Sequence, residues 1–204
     1  FLYYVLGSIS TTTIAVGSTI PESFYYVTVE NENMSLHGAK VDTWELTVEE
    51  GSPVRAEFTA IGKNIGTTGA SPFTPDFNNP PKMQSDVSVT VGGSTIEYNR
   101  LSLRISNGIE PIYKGSLNPQ ELRETGLEVT GRIRAPKYSQ FISEGAMVIT
   151  ISNVGQISMP NVRLTEVPPR VSGFDLPETE ISFRAYPTTT EDAIKVTLTN
   201  TLKW

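Results

Sequence analysis

The residue types that most often perform catalysis are nearly absent from this chain. Its 204 residues include no cysteine and a single histidine, His37. A cysteine nucleophile, a thiolate metal site and an iron–sulfur cluster are therefore excluded. A Ser-His-Asp arrangement would need His37 as its base, but no serine lies in the Gly-x-Ser-x-Gly turn of a hydrolase. We interpret His37 as a surface or edge residue at the entrance of a strand.

The acidic pairs and the glycines are no more indicative of an enzyme. Glu49-Glu50 and Glu191-Asp192 fall at predicted strand ends, which is typical of solvated turns and not of two facing catalytic carboxylates. No Asp-x-Asp calcium loop and no second histidine is present, so a metal site is not predicted. The spacing of three glycines fits neither a dinucleotide loop nor a Walker loop: Gly62, Gly66 and Gly69. We predict no enzymatic activity, no cofactor and no metal.

Four arginines could instead serve an interface. Arg100 and Arg104 lie on the polar face of one candidate strand, and Arg132 and Arg134 on that of another, with Glu128 nearby in sequence. They are either ordinary surface charge or partners for carboxylates on a neighbouring subunit. The sequence leaves both interpretations open.

The amino-acid composition limits which classes of partner the chain is predicted to bind. The chain has 16 basic and 22 acidic side chains, a net charge of -6, which disfavours a protein that grips nucleic acid through its phosphates. The longest apolar run, from Phe1 to Leu6, is far shorter than the ~20 residues that cross a bilayer, so no membrane partner is predicted. A length of 204 residues suits one compact domain or two closely packed small ones, and we predict a single domain, 1–204.

The elements that would carry these residues are predicted to be strands. Apolar and polar residues alternate from Val41 to Ile61 around a turn at Gly51 and Pro53, which indicates a long antiparallel hairpin with one wet face. The apolar side of this hairpin consists of Trp44, Leu46, Val48, Val54, Ala56, Phe58 and Ala60. The polar side consists of Thr43, Glu45, Thr47, Arg55, Glu57 and Thr59.

The same alternation continues along the chain and predicts an all-β fold, a sandwich or a barrel, with nine or ten strands. Further strands are centred on Val89, Leu103, Ile133, Ile149, Phe183 and Val196. One short helix is predicted over 119–125, because Asn118-Pro119-Gln120-Glu121 combines an N-cap, a first-turn proline and an early acid. A second short helical turn is predicted from Thr188-Thr189-Thr190-Glu191, which has capping-box spacing.

Two further features of the sequence are a long loop and a weak similarity between two of its segments. Residues 62–85 have no period and are rich in glycine and proline, as in a functional contact loop. Trp44, Leu46, Val48 and Gly51 match Leu101, Leu103, Ile105 and Gly108 at an offset of 57 positions. A duplication that relates a hairpin at 36–63 to a region at 99–135 is therefore possible.

Three segments resemble the tail tube proteins (major tail proteins) of tailed bacterial and archaeal viruses. Leu36–Val54 contains a Gly-x-Lys-Val start, an alternating strand and a Glu-x-Gly turn, and the return strand ends in Gly62-Lys63, a pattern similar to that family's. Leu103–Pro111 and Leu127–Ile133 resemble its second hairpin region. The likeness covers about half of the chain in the expected order.

This resemblance implies a β-sandwich or barrel subunit whose long hairpins join those of neighbours into the inner β-barrel of a ring. Rings, with six copies favoured over three, would stack into the hollow tube through which viral DNA passes without sequence-specific contacts. Other tail proteins would be partners, the virion tail the location and the host cytoplasm the place of assembly. The polar side of the first hairpin would face the lumen, which we expect to be negative or neutral. Residues of the long loop would contact the adjacent subunit: Gly66, Pro72, Phe73, Pro75 and Phe77.

A different class of protein fits the same pattern. A β-rich extracellular fibre or pilus subunit assembles by strand donation, and Phe1–Leu6 or Ile194–Leu202 could be the donor. A surface domain that only binds is a third interpretation. Electron microscopy of assembled material would separate a tube with a lumen from a solid fibre.

Overall fold

The computed structural model describes residues 7–9, 13–16, 20–29, 32–67, 80–136, 145–166 and 179–199. Sixteen strands run through these residues, and the one helical element among them is a 3₁₀ turn at Gln84–Asp86. The strands are β1 (Gly7–Ile9), β2 (Thr13–Val16), β3 (Ser23–Val29), β4 (Glu32–Glu49), β5 (Arg55–Ile61), β6 (Asn64–Thr67), β7 (Val87–Val91), β8 (Ser94–Ile96), β9 (Arg100–Ser106), β10 (Ile109–Ile112), β11 (Glu121–Glu124), β12 (Glu128–Ala135), β13 (Gly145–Ile151), β14 (Gly155–Glu166), β15 (Thr179–Ala185) and β16 (Lys195–Leu198). The all-β prediction is confirmed.

Fourteen of these strands form one antiparallel sheet that curls into a half-barrel. Its main path runs β1-β2-β16-β14-β15-β12-β9-β4-β3, while β13, β7 and β8 branch from β14, and β5 and β6 pair with β4. A separate hairpin consists of β10 and β11. The predicted hairpin from Val41 to Ile61 is present as the paired part of β4 and β5.

The core lies inside the curl, because every strand of the sheet's middle sends alternate apolar residues to the same side. Leu101, Leu103 and Ile105 of β9 are completely buried, as are Met147 and Ile149 of β13. Tyr98 also packs there; burial raises the pKa of its phenol to about 12, and its hydroxyl donates a hydrogen bond of 3.0 Å to the Val87 carbonyl oxygen.

Gly131 shows how tightly this core is closed. It lies opposite Phe183 in the pairing of β12 with β15. A Cβ at this position would come within 2.3 Å of both the Phe183 ring and the Ser102 carbonyl oxygen. Glycine is therefore required by the close approach of the aromatic ring to the backbone.

Both helix predictions are wrong. Residues 121–124 form strand β11, because Leu122 is the buried side chain of a short alternating segment and packs with Ile109 and Ile20 in a small second cluster. The Asn118-Pro119 signal starts only a bend before that strand. At the second site the backbone amide of Glu191 donates to the Thr188 hydroxyl at 2.8 Å, but the chain turns directly towards the buried Ile194 and β16 without forming a helix.

Part of the segment predicted as a long loop, 62–85, is a strand. Asn64–Thr67 forms β6, which pairs with Met34–His37 at the start of β4. The alternation was too brief to be read from the sequence, and glycine at Gly62 allows the turn into β6 because a Cβ there would lie 2.3 Å from the Leu36 side chain. The hypothesis of a duplicated hairpin stays a prediction; its two segments contribute the adjacent strands β4 and β9.

Candidate functional site

A six-stranded part of the sheet has one continuous polar face. In the order β5-β4-β9-β12-β15-β14, each strand pairs antiparallel with the next, so residues opposite one another form rows across the strands. Successive rows point to opposite sides because side-chain direction alternates along each strand. Three apolar rows enter the core, and four polar rows make up what we call the polar face.

The register defines the four rows of the polar face. The first contains Thr59, Thr43, Ser106 and Glu128. The second, which we call the charged row, contains Glu57, Glu45, Arg104, Thr130, Arg184 and Arg163. The third contains Arg55, Thr47, Ser102, Arg132, Ser182 and Thr165. The fourth contains Glu49, Arg100, Arg134 and Glu180. A groove of about 680 Å³ lies over the middle of this face.

The polar face does not share the negative charge of the chain. Its rows hold seven arginines and five glutamates among the residues that the structure describes. The first hairpin contributes Glu45, Glu49 and Glu57 against Arg55, whereas the strands beyond it are rich in arginine. The negative or neutral lumen expected from the hairpin and the net charge stays a prediction, although the rows of this face hold more arginines than glutamates.

Ion pairs within the subunit connect the arginines of β9, β12 and β15. The Glu180 carboxylate lies 3.4 Å from an Arg132 guanidinium nitrogen and 3.6 Å from one of Arg134. Arg184 reaches Glu128 at 3.2 Å. Arg100 reaches Glu49 at 3.8 Å. Three of the four arginines singled out from the sequence therefore have carboxylate partners in the same subunit, and these exposed pairs contribute little stability each.

The charged row ends at β14 in two adjacent arginines. Arg184 and Arg163 lie directly opposite each other on β15 and β14, an arrangement of like charges that destabilises an isolated sheet. The Tyr186 ring offsets part of this cost, because the guanidinium carbons of Arg163 and Arg184 lie 5.3 and 5.6 Å from its centroid. The side chains at this end are thereby held next to one another.

The other end of the charged row has the opposite sign. Glu45 and Glu57 lie directly opposite each other on β4 and β5. Arg104 is the next residue in the row, but within the described part of the chain it makes no ion pair with either acid. The row therefore begins with two like negative charges and ends with two like positive charges.

Strand β5 is an open edge. Within the described ranges it pairs with β4 alone, and its residues 55–59 are exposed on both faces. Phe58 is 48% exposed, although its ring lies 5.5 Å from that of Tyr25. Ala56 and Phe58, on the apolar side of the hairpin, are exposed, because the core ends at Trp44 of β4 and β5 pairs with β4 alone in the described ranges.

The structure brings the predicted polar residues of the hairpin together. Thr43, Glu45, Thr47, Arg55, Glu57 and Thr59 all lie on the polar face, in its first three rows. Of the predicted contact loop, Gly66 lies in β6 opposite Ser35. Pro72, Phe73, Pro75 and Phe77 lie outside the described residues.

Sequence reasoning missed the basic half of the charged row. Arg163 and Arg184 are separated from the hairpin by more than a hundred positions, and only the strand order brings them into the row of Glu45 and Glu57, beside the Tyr186 ring. Arg184 alternates with the buried Phe183 and Ala185 and could have been placed on a polar face. Its neighbour across the sheet could not have been identified.

The described residues offer no obvious chemistry of catalysis or metal binding. They contain no group of three histidine, cysteine, aspartate or glutamate side chains that could hold a metal ion. The one histidine, His37, lies 2.7 Å from the Ser35 hydroxyl, which also donates to the Gly66 carbonyl oxygen at 3.2 Å within the β4–β6 pairing. No helix in the described ranges is long and apolar enough to cross a membrane.

Comparison with known proteins identifies the family. No curated protein matches the chain. A sequence model described as "Phage tail tube protein" matches residues 1–198, nearly the whole length. This match agrees with the all-β half-barrel. The chain therefore belongs to the phage tail tube protein family and is a structural subunit of a virion tail.

Proposed function

We propose that this subunit polymerises into rings of six copies that stack into a hollow tube, and that the polar face lines its lumen. Viral DNA passes through this lumen during ejection and makes only non-specific contacts. The tube is assembled in the host cytoplasm together with other tail proteins. The subunit forms part of the tube wall and catalyses no reaction.

The observation that carries this proposal is the two-sidedness of the six-stranded sheet. Every position of its four outward rows is polar, while the intervening rows close the core. Such a surface is suited to water and to a passing polyanion, because it carries both arginine and glutamate among uncharged polar side chains. Strand β5 pairs with β4 alone in the described ranges, which supports a sheet that continues in another subunit.

Chemical labelling can test which face is turned inwards. The chain has no cysteine, so a single introduced thiol is the only site for a maleimide. We expect Ser102→Cys, in the middle of the polar face, to react with a small maleimide in both tubes and free subunits. A maleimide that carries a long polyethylene glycol chain should react with this variant only in free subunits.

A control for this experiment is Leu117→Cys, because Leu117 is 99% exposed in the β10–β11 connection. This variant should react with the large reagent in tubes, provided that the connection lies on the outside of the assembly. Equal reaction of Ser102→Cys with the large reagent in tubes and in subunits would contradict a lumenal polar face.

Electron microscopy of the purified assembly tests the ring itself. Six-fold averages with a central channel are the expected result. Three-fold rings would correct the copy number, and a solid thin fibre would support assembly by strand donation.

The contact loop remains part of the proposal, but the segment now begins at a later residue. Because 64–67 form β6, the proposed segment begins after this strand, at residue 68, and includes Pro72, Phe73, Pro75 and Phe77. Deletion of residues 68–79 should leave a folded subunit, measured by circular dichroism, that no longer forms tubes. Tubes of normal length after the deletion would contradict a role in assembly.

A further inference from the structure

Four strands of the polar face carry a block of hydrogen-bond donors with no acid among them. On β9, β12, β15 and β14 the charged row consists of Arg104, Thr130, Arg184 and Arg163. On the same strands the third row consists of Ser102, Arg132, Ser182 and Thr165. We call these eight positions the donor patch. Its guanidinium and hydroxyl groups lie on the same side of the sheet, and each of them can donate a hydrogen bond.

The donor patch is open to a ligand. The groove of about 680 Å³ is lined by every residue of the patch except Arg163. Neighbouring strands lie about 4.8 Å apart and successive rows on one face about 6.8 Å apart, so the patch extends over roughly 14 Å by 7 Å. This area accommodates more than one phosphate-sized anion.

Two arginines of the patch have donors that no described carboxylate occupies. Arg104 lies next to Glu45 in the charged row but forms no ion pair with it, and Arg163 forms none with a described residue. The guanidinium carbon of Arg163 lies 5.3 Å from the centroid of the Tyr186 ring. Contact with the face of a ring leaves the N–H groups at the edge of a guanidinium available to an anion.

The other two arginines are held by carboxylates at the borders of the patch. Arg132 lies 3.4 Å from Glu180, and Arg184 lies 3.2 Å from Glu128. Both arginine side chains are more than half exposed. Because a guanidinium has five N–H donors, these contacts orient the two side chains and leave donors for a second anion.

An anion would also offset an unfavourable contact within the patch. Arg184 and Arg163 lie directly opposite each other, and the Tyr186 ring compensates only part of the repulsion between them. A phosphate group between the two places negative charge against both guanidinium groups. Pairs of arginine and phosphate form strong, charge-assisted hydrogen bonds.

The side chains of the patch favour the phosphate backbone of nucleic acid over other polyanions. Arginine, serine and threonine side chains contact phosphate oxygens in protein–DNA complexes. No residue of the patch is aromatic, so it offers no platform on which the bases of a single strand could stack. None is apolar, so the patch also lacks an anchor for a peptide side chain. A duplex contacted through its backbone alone fits this arrangement.

We propose that the donor patch binds phosphate groups of double-stranded DNA without preference for a sequence. The inference deepens the proposed function and rests on it for the access of DNA to this face. The duplex is attracted at the donor patch and repelled by Glu45 and Glu57 at the hairpin end. Each subunit therefore holds passing DNA weakly at a defined place.

Binding of a fluorescein-labelled duplex to free subunits, followed by fluorescence anisotropy, tests the site. The logarithm of the binding constant should fall linearly with the logarithm of the salt concentration between about 50 and 200 mM NaCl, because contacts with phosphates release counterions. Two duplexes of unrelated sequence should bind equally. Absence of binding at the lowest salt concentration, or a clear preference for one sequence, would overturn the proposal.

Three substitutions that each remove one positive charge locate the site. Arg104→Gln and Arg163→Gln lie in the patch, while the matched control Arg55→Gln lies in the third row on β5. Each patch variant should weaken binding about tenfold at low salt and lower the salt slope by about one. Arg55→Gln should weaken binding less than about twofold, because it lies about 10 Å or more from the patch. Equal losses in all three variants, with folding verified by circular dichroism, would indicate a diffuse effect of charge and overturn the site.

Competitors distinguish the possible sources of negative charge. Unlabelled DNA should displace the labelled duplex at a far lower phosphate concentration than inorganic phosphate does, because one duplex presents several phosphates at once. An equal effect of inorganic phosphate would assign the patch to the free ion. A stronger effect of polyglutamate of equal charge would assign it to an acidic protein. Either of these two results would overturn the proposal.

The result for DNA binding can be separated from the result for the tube. Absence of binding, while Ser102→Cys is protected from the large maleimide in tubes, overturns the phosphate site and leaves the lumenal face standing. Binding that depends on Arg104, together with full labelling of Ser102→Cys by the large reagent in tubes, supports the phosphate site and contradicts the lumenal face.

Discussion

The two ends of the polar face differ in how far their side chains are buried and ion-paired within one subunit. At the β15 end, Phe183 is 3% exposed, and Arg132, Arg134 and Arg184 have carboxylate partners. At the β5 end, Phe58 is 48% exposed, and Glu45 and Glu57 face each other without an ion pair in the described part of the chain. One end is a closed core with ion-paired side chains at its surface, and the other leaves an aromatic ring and two facing acids exposed to water.

This difference indicates that the two ends contribute unequally to the stability of the free subunit. Burial and ion pairs at the β15 end stabilise the free subunit, since they are complete before any contact is made. The exposed ring and the repelling acids at the β5 end contribute little to the folding of the free subunit, and under the proposed assembly they would matter mainly for contacts between subunits. Substitutions at matched positions of the two ends should therefore have different effects on folding and on polymerisation.

The largest difference is expected between two phenylalanines of adjacent apolar rows. Phe183→Ala should lower the free energy of unfolding of the free subunit by about 3–5 kcal/mol, because it leaves a cavity in the closed core. Phe58→Ala should lower it by less than about 1 kcal/mol, because half of the ring is already in water. Urea unfolding of both variants at low protein concentration measures the contrast. Similar losses in the free energy of unfolding of the two variants would contradict the contrast between the two ends.

Enlarging a side chain should be tolerated at one end and not at the other. Gly131 and Ala56 lie in the same apolar row. Gly131→Ala should cost about 1–3 kcal/mol, because the new methyl group meets Phe183 and the Ser102 carbonyl. Ala56→Val, on the exposed strand, should change the stability of the free subunit by less than about 0.5 kcal/mol. Thermal unfolding of the two variants measures this difference in stability. A Gly131→Ala subunit that unfolds at the original temperature would show that the neighbouring side chain and backbone can shift to accommodate the methyl group.

The smallest effects should have opposite signs. Glu45→Gln removes one of two facing acids and should stabilise the free subunit by about 0.2–1 kcal/mol. Glu180→Gln removes the shared partner of Arg132 and Arg134 and should destabilise it by a similar amount. Both effects should shrink in 1 M NaCl, where screening is strong. Two changes of the same sign in urea unfolding would contradict the electrostatic contrast.

Much of the fold could be predicted because its signal is local. The alternation in Leu101-Ser102-Leu103-Arg104-Ile105 gives both the strand and its buried face, since a strand places successive side chains on opposite sides. The same reasoning placed Glu45 and Glu57 on one polar face. The capping signal at Asn118 was equally local but misleading, because pairing with β10 and burial of Leu122 outweigh a helix of one or two turns.

The rest of the site could not be predicted because it depends on contacts between distant parts of the chain. The sequence by itself determined a β-rich, two-faced, cysteine-free chain whose first hairpin is acidic, since alternation and composition need no partner strand. Only the tertiary structure decided that Arg163 and Arg184 extend the row begun by Glu57, and that β5 and β14 are the strands at its two ends. Strand order and register are set by the shared burial of distant apolar residues, and no local pattern encodes which strands become neighbours.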